Sequence, residues 1–176
     1  MNRPASWRRI RQLVDEHYDA LYRYAYRLSG TAADAEDLTQ EAFCTAQMQW
    51  HQLRDPERAK PWLFAVLRNA FLQRIRAEQT RRAMPLDSAG ELAARAQADE
   101  WPVGPDELQA ALNELPEPFR TPIILFYFEE FSYRDIAEQL NVPIGTVMSR
   151  LARAKAHLRR RLAPDNAVEN VTRELR

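Results

Sequence analysis

Apolar residues along this chain recur mostly at steps of three and four, and the alternating pattern of strands is scarce. Val14, Tyr18, Leu21, Ala25 and Leu28 form a first stripe, and Gly30 is a natural place for that helix to stop. Thr31 and Asp34 stand at the spacing of a helix cap, which predicts a second helix running to about Trp50. Residues 51–60 are polar, contain Pro56 and read as a loop. Pro61 suits the first turn of a third helix, whose stripe is Phe64, Leu67, Phe71 and Ile75.

The periodicity then lapses. Residues 81–104 hold Pro85, Gly90, Pro102 and Gly104 and read as a linker, with a short helix expected around residues 90–98. Pro105-Asp-Glu opens a second helical region, patterned by Leu108, Leu112 and Leu115. Leu115-Pro-Glu-Pro118 breaks that helix, and Phe119 to Phe128 makes the next, with Pro122 awkwardly inside it. Ser132 and Asp135 cap a short helix with Ile136, Ala137 and Leu140 on one face. Asn141 tolerates the left-handed conformation, and Pro143 restarts the chain. Val147, Leu151, Ala154, Leu158 and Leu162 stripe a last, longer helix. Two short helices joined by a tight turn form a helix-turn-helix, which points to DNA.

The expected fold class is therefore all-α: two small helical domains joined by a flexible linker. The boundaries are 1–80, linker 81–104, 105–163 and a polar tail 164–176.

Charge changes this picture through its distribution. Twenty-five Lys and Arg balance twenty-five Asp and Glu, so the net charge is uninformative. Yet from Ile144 to Ala163 there are six basic residues and no acid. That face suits a polyanion. Asp34, Glu36, Asp37, Gln40 and Glu41 put acids and amides on the second helix, either as a solvated face or as a docking surface for cations. A single cysteine excludes an internal disulfide, and three scattered histidines offer no paired metal spacing. No apolar run is long enough to span a membrane and no secretory signal is visible, so a cytoplasmic location is expected. No cofactor is implied.

Five segments in order carry a resemblance: Tyr22-Arg-Tyr-Ala-Tyr-Arg-Leu28, Ala35-Glu-Asp-Leu-Thr-Gln-Glu-Ala-Phe43, Trp62-Leu-Phe-Ala-Val-Leu-Arg-Asn69, Leu115-Pro-Glu-Pro-Phe-Arg120 and Gly145-Thr-Val-Met-Ser-Arg-Leu-Ala-Arg-Ala-Lys155. With them the chain resembles the extracytoplasmic-function group of the bacterial sigma-70 family. The resemblance implies a sigma-2 domain and a sigma-4 helix-turn-helix domain in a promoter-specificity subunit that has no catalytic residue of its own. Its implied partners are core RNA polymerase (the beta-prime clamp helices and the beta flap), promoter DNA and an anti-sigma factor.

By the same resemblance, Asp34, Asp37, Leu38, Gln40 and Glu41 dock on polymerase. Trp62, Arg68, Asn69, Gln73 and Arg76, with the loop Arg54 to Lys60, serve the −10 element, and Arg74, Arg81 and Arg82 grip phosphates. In the last helix Met148, Ser149, Ala152 and Arg153 face −35 bases, while Thr146, Arg150 and Lys155 reach phosphates. A stand-alone helix-turn-helix regulator is the alternative; it would need a dimerisation or effector domain where residues 12–80 lie. An enzyme built on Asp34, Asp37 and Glu41 lacks a nucleophile, a histidine pair and a phosphate loop.

Overall fold

The computed structural model describes residues 3–53, 55–82 and 104–162. Arg54, the linker beyond Arg82 with its expected short helix, and the tail lie outside the described residues. Among the described residues seven α-helices follow in order: α1 Arg3–Ser29, α2 Ala32–Gln49, α3 Ala59–Arg82, α4 Pro105–Asn113, α5 Glu117–Tyr127, α6 Tyr133–Leu140 and α7 Ile144–Leu162. Among the described residues there is no strand, and no helix is long and apolar enough to cross a membrane. The all-α expectation holds.

Helix ends lie where the chain's local chemistry sets them. Gly30 adopts φ +86 and its N–H donates to the Tyr26 carbonyl at 2.7 Å, closing α1. Thr31 accepts from the Asp34 N–H at 3.1 Å and starts α2. The expected loop 51–60 is tighter than predicted. It holds two 3-10 turns, Trp50–Gln52 and Pro56–Arg58, the latter capped by Asp55, and α3 already begins at Ala59. Pro61 thus sits in its first turn, as its missing N–H requires. The fifth helix starts at Glu117, earlier than the predicted Phe119, so Pro122 falls in its second turn and removes the bond to the Pro118 carbonyl.

The helix-turn-helix is α6 and α7. Ser132 and Asp135 form a reciprocal capping box at the start of α6. At its end Asn141 is left-handed (φ 52, ψ 50), and Val142 N–H reaches the Ala137 carbonyl at 3.0 Å. Pro143 then turns the chain, its carbonyl accepting from Thr146 and Val147. Val147, Leu151, Ala154 and Leu158 are buried as one stripe.

α1, α2 and α3 pack together as one group, and α4 to α7 as another. Leu21, Leu28, Leu38, Leu63, Phe64 and Leu67 fill the first core. Leu112, Ile123, Ile124, Leu125 and Ile136 fill the second. The two cores are continuous: α1 packs on α4 and α5, α3 meets α6, and Phe64 lies 5.2 Å from Phe131, ring to ring. The halves therefore rest against each other rather than apart.

Removing the cap by Ser132→Ala should cost about 1 kcal/mol of stability. The expected result is a lower urea midpoint by circular dichroism with native helicity retained; an unchanged midpoint would contradict a structural role for the box.

Candidate nucleic-acid and polymerase interface

Three surfaces carry the sequence-predicted residues. On α2, Asp34, Asp37, Gln40 and Glu41 are all exposed. Leu38 is not: at 1 % exposure it lies inside the core, because it shares the stripe of Ala35, Ala42 and Ala46. It anchors α2 and presents nothing to a partner. Arg74 of α3 reaches back to the acids, with guanidinium nitrogens 3.0 Å from Glu41 and 3.9 Å from both Asp34 and Asp37. Three carboxylates converging on one cation concentrate negative charge on this face, and Arg74 keeps them together against their mutual repulsion. These pairs are solvent-exposed, so each is individually weak and salt-sensitive.

The second surface is α3. Asn69, Gln73 and Arg76 are exposed, opposite buried Phe64, Leu67 and Phe71. Trp62 is half-buried, edge-on to Trp50 at 6.4 Å between ring centres, and packs against the core. Arg68 does not reach outward. Its Nε and one terminal nitrogen donate to one Glu117 oxygen of α5 at 3.0 and 2.8 Å, and Thr121 donates to the same oxygen at 2.9 Å. Arg74 is likewise committed to α2. The side chains of Arg81 and Arg82 lie outside the described residues. Beside the loop, a groove of about 590 Å³ runs between α1 and the 3-10 turns, lined by His17, Trp50, Leu53, Pro56 and Lys60 among others.

The third surface is α7. Met148, Ser149, Ala152 and Arg153 are exposed along one face, with Gly145 at its leading end facing open space. Ser149 donates its hydroxyl to the Thr146 carbonyl at 3.0 Å, leaving its oxygen lone pairs free to accept. Thr146, Arg150 and Lys155 flank this face and are half-buried. The Lys155 ammonium nitrogen lies over the Tyr127 ring of α5, 5.9 Å from its centre. At the far end Arg161 and His157 hold Glu114 at 2.8 and 3.3 Å. The bond from Arg161 draws the Glu114 carboxyl below the ordinary range. Those groups tie α7 to the end of α4.

Sequence reasoning missed the groups at the contact between the halves. Arg120 donates to the Leu28, Asn113 and Leu115 carbonyls at 2.7 to 3.0 Å. Lys60 donates to the Glu129 carbonyl at 2.9 Å, and Arg58 meets Glu138 at 3.0 Å. Glu129 is 3 % exposed and its Oε1 has no hydrogen-bond partner. One signal was available: Thr121, Leu125 and Glu129 step by four, placing a carboxylate on a buried stripe. No group of three or more His, Cys, Asp or Glu suited to a metal ion occurs among the described residues.

Two family models match the chain, sigma-70 region 2 over residues 13–81 and sigma-70 region 4 over 106–158. These spans take in all three surfaces. The chain is 37 % identical over 157 residues to the ECF RNA polymerase sigma factor SigE of Mycolicibacterium smegmatis, covering 86 % of this chain and 61 % of that protein. It is 31 % identical to the ECF RNA polymerase sigma factor SigW of Bacillus subtilis, covering 85 % of this chain and 87 % of SigW. Among solved structures it is similar to the sigma factor RpoE of Bartonella quintana, crystallised with the anti-sigma factor NepR. The TM-score there is 0.73 at 30 % identity, over 88 % of this chain and 97 % of that one. Helix order, motif order and matched spans agree, and the chain belongs to the extracytoplasmic-function group of the sigma-70 family, the alternative sigma factors that direct transcription initiation.

Proposed function

We propose that the three surfaces divide the work of a sigma factor among them. The exposed face of α7 carries this reading: a capped helix-turn-helix holds out a helix with no carboxylate, whose Met148, Ser149, Ala152 and Arg153 stand clear of the protein. A helix of 19 residues is about 28 Å long, enough to lie along a major groove. Arg153 reads a guanine of the −35 element, and Met148 or Ala152 meets a thymine methyl. Thr146, Arg150 and Lys155 hold phosphates.

The acid face of α2, through Asp34, Asp37, Gln40 and Glu41, meets cations on the beta-prime clamp of core polymerase. Arg74 fixes the register of those carboxylates before docking. Asn69, Gln73 and Arg76 of α3 serve the −10 element, where an unstacked base is bound by amide and aromatic groups, and Trp62 contributes from its half-buried position. Arg68 joins them only when its bond to Glu117 is broken. Residues 1–80 and 105–163 act as the two domains, with 81–104 as the tether and the beta flap as a second polymerase contact. No step calls for a catalytic residue, and the chain works in the cytoplasm beside its polymerase. An anti-sigma factor holds it when it is not in use. In support, the structurally similar Bartonella factor was crystallised with such a partner, and the likeness to it extends over 88 % of this chain.

A stand-alone regulator would require dimerisation or effector machinery in the first half. Residues 13–81 match sigma-70 region 2 instead.

Run-off transcription with purified core polymerase tests the α7 assignment. Arg153→Ala should lose about 1–3 kcal/mol of discrimination at one −35 position, with little change in salt dependence. Arg150→Ala should weaken all promoters alike and lower the salt slope by about one. If both variants behave the same way, the division between base and phosphate contacts is wrong.

For the α2 face, Glu41→Lys combined with Asp37→Lys should abolish co-purification with core polymerase while leaving the helical spectrum intact. Retained polymerase binding at moderate salt would place the docking surface elsewhere.

A further inference from the structure

The seam between the two halves contains more ionisable groups than a permanent interface needs. Arg68 and Glu117 form a bond across it with side chains 16 % and 18 % exposed. Arg27 stacks over the Phe128 ring at 4.0 Å, and Lys60 reaches over both Phe64 and Phe131. In the middle, two buried polar atoms lack any hydrogen-bond partner: the Tyr24 hydroxyl and Glu129 Oε1. Buried polar groups occur elsewhere as well, among them Thr39, whose hydroxyl donates to the Ala35 carbonyl at 2.7 Å, and the unpartnered Gln139 amide; Glu129 differs in being a buried carboxyl.

Glu129 follows the end of α5 and precedes Glu130, which is held left-handed at φ 60. That conformation is disfavoured for a residue with a Cβ. Here it accompanies a turn that sends Phe131 N–H back to the Leu125 carbonyl at 3.0 Å and Phe131 onto Phe64. The same turn leaves Glu129 pointing into the seam. Arg23, Tyr24 and Arg27 of α1 face it, Lys60 of α3 faces it, and Glu130 is its neighbour. Three cations favour a carboxylate there. Burial opposes them and wins, so the Glu129 carboxyl is raised to about 7 from an ordinary value of 4.5.

A second constraint comes from the promoter. Under the function proposed above, the halves act at elements named for positions roughly 25 base pairs apart, about 85 Å of B-form DNA. Halves joined by a 2.8 Å ion pair and a shared core cannot reach both. The chain length between the halves permits it: 21 residues at 3.3–3.6 Å each allow at most about 70 Å, and each half adds its own width.

We propose that the seam is a proton-linked latch: the chain rests closed with Glu129 buried and neutral, and loss of that proton favours the separated halves that span a promoter. The inference rests on the two-element reading of the function, and it assigns regulation to that same machinery. Opening hydrates Glu129, returning it to an ordinary carboxyl that releases its proton to solvent. The sign follows from linkage. Between the open and closed values the closed state binds more protons than the open state, so opening becomes easier as pH rises. With values of 4.5 open and about 7 closed, the closed-to-open ratio falls about tenfold between about pH 6 and about pH 8.

The experiment uses the full chain without polymerase or DNA. Spin labels on the exposed native Cys44 of α2 and on Ala156→Cys of α7 report the separation of the halves as a distance distribution. The wild type should show a short-distance population that falls on going from about pH 6 to about pH 8, by about tenfold relative to the long one. Glu129→Gln, neutral at every pH, should stay short throughout. Glu117→Ala should shift toward long distances at both. A wild-type distribution that is pH-independent, or a Glu129→Gln protein that titrates like the wild type, overturns the latch. Should Glu129→Gln fail to fold, Glu129→Met and the wild-type series decide the matter in the same way. A negative result leaves the promoter function standing, since neither polymerase nor promoter is in the sample. Failure of run-off transcription leaves the distance result standing in turn.

Discussion

The arrangement of this molecule depends on an ion pair that is nearly out of water, Arg68 with Glu117. Burying such a pair gains little over burying hydrocarbon, because both ions lose hydration that their attraction only restores. The pair is completed by Thr121, whose hydroxyl donates to the oxygen already accepting twice from Arg68. Cutting it by deleting one partner is costly, since a charge stays buried and unpaired. Cutting it by separating the halves is not, since both ions return to water. A contact made of such groups is sensitive to loss of either partner yet yields to separation of the halves. Domain contacts within a chain are often of this polar kind. Phe64 against Phe131 is part of the apolar core that runs across this seam and supplies its cohesion.

This has consequences for the surfaces. In the closed arrangement the α2 acids and the outward face of α7 are solvent-exposed, while Arg68 is turned to Glu117. Under the proposed division of surfaces, polymerase docking through α2 and a first approach of α7 to DNA are therefore available to the resting chain. Full engagement of α3 is not. Two weak grips that act together only when held at a set spacing gain selectivity from that spacing, because the second contact becomes intramolecular. A closed form that withholds part of one grip reduces binding to stray sites at little cost to the correct one.

What was legible in the sequence was what local chemistry decides. Thr31 with Asp34, Ser132 with Asp135, Asn141 and Pro143 are caps and turns whose partners lie within a few residues, and each ended or began a helix as expected. Stripes such as Val147, Leu151, Ala154 and Leu158 were equally plain, because one helical face buries them all. Leu38, assigned to the docking set by resemblance, lies on the inward stripe of its helix and is buried. The seam was not legible. Arg68 finds Glu117 across 49 positions and Arg120 finds the Leu28 carbonyl across 92, and no periodicity connects residues so far apart. Arg68 and Arg74 read as phosphate-binding cations because a sequence shows charge without showing which opposite charge it meets.

The scale of the latch fits that of its task. A tenfold change in a two-state ratio is about 1.4 kcal/mol, comparable to one well-placed ion pair and far below the cost of unfolding either half. A device of that size cannot withhold the chain from a partner that binds the open form tightly; it can only set how often the open form is offered. Such control acts on the population competent to assemble, and hence on apparent affinity and assembly rate, without altering the promoter contacts themselves. A protein partner that bridges both halves would act in the same direction as protonation, since each favours the arrangement in which Arg68 and Glu117 remain joined. The two influences would then add in free energy, so that a modest proton-linked bias multiplies the hold of a partner already present.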